Sequence, residues 1–354
     1  MNEQFIAMYF KEHAPRYLFG ATTEAEALIK IHQENNLELT AVIDNFYSND
    51  TFAGLPCIKL DDVPSDALIV SAVTNSRPID VNRLLEKHHF KYCDYFFFYR
   101  YSGFQCPKID FWDGATNHWQ KHKNEYAKVK SWFEDDESVN TFDAVVGFRN
   151  NYDLSYMKGF QFDITNMYIE PFLVPFQEHS VFFDLGAFDG SDSERFLRHC
   201  PTGEAYLFEP IPSQVELLAA KYTNHAAIKV IPVAVGDTSK LVKFSLSGTS
   251  SKVVDNAESD EIVAVQQISM DEFCAENNVS PSYVKMDVEG VELDVLHGMA
   301  DTILRCKPKL AISVYHRAEH LIAVPNYLKQ LCPEYKFYLR HYTQGYSETV
   351  LFAV

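Results

Sequence analysis

The chain has 354 residues, more than one ordinary core organises, so two domains are expected. An apolar share of 47% and a charged share of 23% are those of a soluble globular protein. Its 49 acidic against 31 basic residues leave a formal charge of −18, which argues against non-specific binding to nucleic acid or anionic membranes, because both need clustered Lys and Arg.

The seven cysteines are scattered, odd in number and never in a CxxC spacing, a pattern of reduced thiols rather than a disulfide frame or zinc site. The amino terminus lacks the basic start and apolar run of a signal peptide, and no apolar stretch is long enough to span a bilayer. A cytoplasmic location is the expectation.

Arg16–Ala21 (RYLFGA) predicts a buried strand ending in a glycine turn, and Thr22–Asn35 has the spacing of a helix. Leu39–Asp44 and Ala67–Val73 predict two more strands, with a helix over Pro78–His88. Such alternation describes a small Rossmann-like α/β domain over 1–105. A connecting or cap region over 106–179 follows, with one long helix over Trp112–Phe133 and a solvated turn at Glu134–Glu137. Tyr152–Pro175 reads either as a substrate-side cap or as plain packing.

From 180 to 354 the alternation is regular. Strands are expected at Val181–Leu185, Glu204–Phe208, Ile228–Val233, Tyr283–Asp287, Lys309–Val314, Lys336–His341 and Thr349–Val354. A hairpin-like pair is expected at Val242–Leu246 and Ile262–Ile268, with helices at Ser213–Tyr222, Met270–Asn277, Val291–Leu304 and Glu319–Leu331. Tyr342–Glu348 is too short for a crossover helix, so the final two strands must pair antiparallel. A mostly parallel seven-stranded sheet closed by an antiparallel hairpin is the architecture of class I, Rossmann-like methyltransferases.

Chemistry-bearing residues gather at the strand ends. Asp184-Leu185-Gly186-Ala187-Phe188-Asp189-Gly190 is a strand-to-helix turn whose exposed N–H groups and acids can hold a cofactor bearing a carboxylate and an amine. Asp184 can order the loop or receive the ammonium. Glu209 lies 19 residues beyond Gly190, the place where doubly wound folds grip ribose hydroxyls. Asp237 reads either as an adenine contact at the same sheet edge or as a surface turn. Asp287 and Glu289 follow the fourth strand, where a carboxylate can take a proton from an attacking hydroxyl. With Glu292 they could instead hold a divalent cation, or merely cap a helix, and no residue is assigned as a metal ligand. His316, after the fifth strand, is the candidate general base.

These motifs together resemble the FkbM family of methyltransferases. The resemblance rests on Val181–Gly190 (VFFDLGAFDG), Phe208–Pro210 (FEP), Ala234–Asp237 (AVGD), Ile268–Phe273 (ISMDEF), Val284–Glu292 (VKMDVEGVE), Val295–Gly298 (VLHG), Lys307–Leu310 (KPKL), Tyr315–His316 and Glu348–Phe352 (ETVLF). Phe188 stands where the family often has Asn. The resemblance implies methyl transfer from S-adenosyl-L-methionine to a hydroxyl on a sugar, glycan, glycolipid or related natural product. Asp184, Gly186, Ala187, Asp189, Gly190, Glu209, Asp237 and Asp287 would then bind the cofactor, and His316, Asp287 and Glu289 would face the acceptor. The amino-terminal half lies outside the resemblance and lacks a full dinucleotide fingerprint. It is expected to recognise substrate or to build a homo-oligomer, with a nucleotide sugar as the alternative ligand. A non-catalytic binding protein with the same fold is the competing reading.

Overall fold

The computed structural model describes residues 2–11, 13–112, 114–247, 250–253 and 262–354. Two compact units emerge, one from Met1–Thr116, Phe142–Ile164 and His341–Ser347, the other from Asn117–Thr141, Thr165–Arg340 and Glu348–Val354. The expected connecting region at 106–179 is thus divided between both units, as is the loop that follows the sixth predicted strand.

In the first unit, strands β1 (Arg16–Phe19), β2 (Ala41–Ile43), β3 (Thr51–Phe52), β4 (Leu55–Ile58), β5 (Leu68–Ser71) and β6 (Lys91–Asp94) form a sheet of order β3-β4-β2-β1-β5-β6. Every pairing is parallel except the short β3–β4 hairpin. All residues of β1, β2 and β5 are buried, as expected of strands covered on both faces. The edge strand β6 (KYCD) buries only Cys93, so it carries no apolar run to betray it.

The second unit contains β7 (Val181–Leu185), β8 (Glu204–Phe208), β9 (Ile228–Ile231), β10 (Ala234–Val235), β11 (Lys240–Ser247), β12 (Ser250–Val253), β13 (Ile262–Ile268), β14 (Tyr283–Met286), β15 (Lys309–Ser313), β16 (Phe337–His341) and β17 (Thr349–Ala353). Seven of them form one sheet, order β16-β17-β15-β14-β7-β8-β9, in which β17 runs antiparallel to β15. Lys336 and Val354 exchange both backbone hydrogen bonds, the mark of an antiparallel pair closing the edge. Side chains alternate across this sheet and both faces are filled. Phe182 stacks on Phe196 of the helix Ser191–His199, while Phe183 meets Phe273 of the helix Met270–Asn277 on the other face.

Several expectations change. The stretch Trp112–Phe133 is a 3₁₀ turn at Asp110–Trp112 and two helices, Ala115–Lys121 and Lys123–Lys130. Gly114 at φ +78 and the non-helical backbone of His122 interrupt it. The acidic run 134–137 is more than a solvated turn. Asp135 accepts the backbone N–H of Ser138 and pairs with Arg340 at 2.7 Å, so it caps the helix Asp136–Asn151. Val291–Leu304 splits into Glu292–His297 and Ala300–Cys306. Gly298 lies at the break, where a Cβ would come within 2.1 Å of the Gly236 carbonyl oxygen. Asp271 caps the second piece through the N–H groups of Asp301 and Thr302. Among the described residues no helix is long and apolar enough to cross a membrane.

Candidate active site

Strand register brings the candidate residues to one sheet edge. Leu185 pairs with Phe208 and with Met286, and Met286 with Ile312. The next residues out of β7, β8 and β14 are therefore Gly186, Glu209 and Asp287, and His316 follows β15 closely. Parallel strands ending together leave a crevice beyond their carboxyl ends, where open α/β sheets take ligands.

The turn after β7 is held from both sides. Gly186 and Ala187 donate their N–H groups to the Phe208 carbonyl at 3.0 and 3.1 Å. Gly186 has φ +78, and a Cβ there would sit 1.9 Å from the Asp287 carbonyl oxygen, so only glycine fits. Gly190, at φ +74, caps the helix Ser191–His199. Between them Phe188 holds a left-handed backbone at φ +47 and leaves its ring 63% exposed. Asp189 turns its carboxylate onto the Ser191 N–H at 2.9 Å.

Asp184 is fully buried and engaged within the protein. It accepts from Ser193 Oγ at 2.7 Å and faces Lys285 Nζ at 3.3 Å. Burial pushes its carboxyl upward, and the Lys285 ammonium pulls it back. Burial also acts to discharge Lys285, but Asp184, Asp192 and Asp287 outweigh it and hold the ammonium above its ordinary value. Lys285 Nζ donates in turn to the Gly186 carbonyl at 2.5 Å. Of the two roles open to Asp184, this geometry provides the ordering of the loop.

Glu209, 5% exposed, accepts the N–H of Phe188 on Oε2 at 3.0 Å and that of Ile211 on Oε1 at 2.9 Å. Each oxygen keeps a second lone-pair direction. Burial raises this carboxyl. Asp237 is placed elsewhere. The third strand of the sheet ends at Ile231, before Pro232, whose ring nitrogen has no hydrogen to give a ladder. Ala234–Val235 instead pairs with β13 in a separate four-stranded sheet. Asp237 follows that strand, is exposed and pairs with Lys240 at 3.0 Å.

Across the edge, His316 is buried among carboxylates. Its Nδ1 lies 2.6 Å from Glu292 Oε1, and its Nε2 lies 3.4 Å from Asp287 Oδ1 and 3.7 Å from Glu289 Oε2. Burial works against a charged ring, but Glu292, then Asp287 and Glu289, overcome it and bring His316 up to about 9. Glu292 is wholly buried, and His316 and His320 hold its carboxyl well below the ordinary range in spite of that burial. Glu289 has φ +57 and Gly290 φ +100, a tight turn that leaves the Glu289 side chain 38% exposed. Asp287 is steadied by Tyr168, whose hydroxyl donates to Oδ2 at 2.8 Å and contacts Ser313 Oγ at 3.0 Å.

Sequence reasoning missed Tyr168, Lys285 and the pairing of Glu292 with His316. Lys285 had a signal, since a lysine inside an otherwise apolar parallel strand must find buried partners. Tyr168 had none, being one aromatic among many in an irregular segment. In the first unit the analogous acid, Asp44 after β2, is spent on its own loop. It accepts from the N–H groups of Ala21, Phe46 and Tyr47.

The sheet order, the glycine turn at its edge and the acid after the second strand define the class I methyltransferase fold. Residues 184–337, most of the carboxy-terminal half, match the family model of the methyltransferase FkbM domain. The 2-O-methyltransferase NoeI of Sinorhizobium fredii (strain NBRC 101917 / NGR234) is 25% identical over 146 residues, 36% of this chain and 60% of NoeI. The chain thus spans about 60% of that curated relative's length. The crystal structure of methyltransferase FkbM from Methylobacillus flagellatus KT superposes with a TM-score of 0.76 at 22% identity, covering 99% of this chain and 92% of that one, a likeness of fold.

Proposed function

We propose that this methyltransferase uses S-adenosyl-L-methionine and methylates a hydroxyl oxygen on a sugar, glycan or related natural product. The observation that carries the reading is Glu209. It is a buried carboxylate at the end of β8, pinned by two backbone N–H groups, with lone pairs left for the vicinal hydroxyls of a ribose. Gly186, Ala187, Asp189 and Gly190 would carry the rest of the cofactor along the turn, and Asp184 supports that turn through Ser193 and Lys285. Asp237 contributes nothing to this edge in the arrangement described.

Asp287, Glu289 and His316 face the acceptor. When bound, the sulfonium supplies an electrophilic methyl group. The chain's own residues align the acceptor oxygen, and its proton passes to a carboxylate of Asp287 or Glu289 beside the His316 ring, which is raised to about 9 and so already charged near neutral pH. Most of the rate gain would come from that alignment. Oxygen as the acceptor atom is favoured by the match to NoeI, a 2-O-methyltransferase.

His316→Ala is expected to lower turnover by about two to four orders of magnitude while leaving affinity for S-adenosylhomocysteine within about twofold. Rates over a panel of sugar acceptors, set against calorimetric affinities, measure both. Unchanged turnover in a variant that still binds S-adenosylhomocysteine would remove His316 from the chemistry.

A further inference from the structure

The surroundings of His316 contain more negative charge than one imidazole can answer. Glu292 Oε1 sits 2.6 Å from Nδ1, so this carboxylate takes the Nδ1 hydrogen and turns Nε2 toward Asp287 Oδ1 at 3.4 Å and Glu289 Oε2 at 3.7 Å. The other Asp287 oxygen is occupied by the Tyr168 hydroxyl, and Oδ1 is a buried oxygen that no donor hydrogen-bonds. One donor atom each from Asp287, Glu292 and His316 lie within 4.8 Å of one another. Without a cation a second ring proton on Nε2 answers these two carboxylates, and a divalent cation bound among them would stand in that proton's place.

The spacing suits an ion. Donor atoms held about 2.1–2.2 Å from a common cation, at angles of roughly 90–120°, lie about 3.0–3.8 Å apart, which is the spacing found here. A carboxylate behind a histidine is also the arrangement that fixes a ligating ring in its tautomer. Glu292 is itself fixed, accepting from the N–H groups of Val288 at 3.3 Å and Gly290 at 3.2 Å. The left-handed turn at Glu289 and Gly290 brings the third carboxylate to the same nitrogen.

We propose that His316 Nε2, Asp287 Oδ1 and the Glu289 carboxylate form a site for one divalent cation, with Glu292 orienting the imidazole from behind. Two carboxylates against one imidazole nitrogen, with open positions, weight the donor set toward a hard divalent ion such as manganese. The proposal deepens the methyl-transfer reading and rests on it for its purpose. The open positions would take neighbouring hydroxyls of the acceptor and make one of them more acidic. In that arrangement His316 is a ligand rather than the base.

The test uses full-length protein freed of metal by a chelator and titrated with Mn²⁺ alone, the free ion being followed by its electron paramagnetic resonance signal. S-adenosylhomocysteine is titrated separately by calorimetry. The expected result is one Mn²⁺ per chain, weakened about tenfold or more by Asp287→Asn and by Glu289→Gln, with S-adenosylhomocysteine affinity kept in Glu289→Gln. The Glu289 side chain is 38% exposed, so Glu289→Gln leaves the core intact and decides the matter if Asp287→Asn fails to fold. No uptake of Mn²⁺, or uptake unchanged by these substitutions, overturns the site even where S-adenosylhomocysteine binds. Mn²⁺ uptake that follows the expected pattern without any S-adenosylhomocysteine binding supports the cation site and overturns the methyl-transfer reading instead.

Discussion

Tyr168 is fully buried, adopts φ +69 and hands its hydroxyl to Asp287, while its own carbonyl accepts from Tyr283. A left-handed tyrosine costs about 1–2 kcal/mol, so the surrounding contacts must hold it there. Its hydrogen bond to a carboxylate contributes about 1.5–3 kcal/mol to the fixed orientation of Asp287. Tyr168→Phe keeps the ring and its packing but frees Asp287 to rotate. The expected outcome is a fall in kcat of about tenfold, an acceptor KM changed less than kcat, and unaltered S-adenosylhomocysteine affinity. Steady-state kinetics beside calorimetry checks this, and wild-type kcat would show that the hydroxyl serves packing alone. At this scale the sequence was legible where residue type and strand position coincide. Gly186, Glu209 and His316 follow predicted strands, Asp287 ends one, and all four reach one edge. Asp237 did not, because Pro232 ends β9 and the chain crosses to another sheet before the acid is reached.

Among the elements, the helix Thr23–Glu34 shows how a surface-type helix is tied to its unit. Thr22 caps it by accepting the Ala25 N–H, and Ala25, Leu28, Ile29, Ile31 and His32 form its buried face. His32 gives Nδ1–H to the Leu28 carbonyl at 2.7 Å, so its Nε2 accepts from the Tyr9 hydroxyl at 2.8 Å. Burial first, with Arg16 adding to it against the Leu28 carbonyl, lowers this histidine to about 4. The folded state therefore binds fewer protons than the unfolded one between that value and the ordinary value of about 6.5. Its contribution is complete above about 6.5 and is lost as pH falls through about 4. Melting temperatures across pH 7 to 4 should decline for the wild type and decline less steeply for His32→Gln. Identical slopes would contradict the role given to His32. The 3.6-residue spacing made this helix readable, and continuous apolar runs did the same for β1, β5 and β7. The helix breaks at His122 and Gly298 were not readable, because the second depends on a tertiary contact with Gly236 that no local pattern records.

On the scale of the molecule, the division into units differs from the linear division into domains, because Asn117–Thr141 and Thr165–Arg340 belong to one unit. Several bonds carry that assignment. Asp135 pairs with Arg340 at 2.7 Å, Glu134 N–H donates to the Phe337 carbonyl at 3.0 Å, and Leu339 N–H donates to Ser138 Oγ at 2.9 Å. Tyr168 reaches Asp287 from the same preceding stretch. A fragment of residues 180–354 leaves these partners behind, and it should melt at lower temperature than a fragment of 117–354 or remain insoluble. Equal melting temperatures would show that the preceding stretch is dispensable. In the proposed function the turn after β7 and Glu209 hold S-adenosyl-L-methionine. Calorimetric titration of S-adenosylhomocysteine into the full-length protein and into Glu209→Ala tests it most directly. Saturable binding with Kd of about 1–100 μM is expected, weakened about tenfold or more by the substitution. Absence of binding by the folded wild type, or equal affinity in the variant, would contradict it.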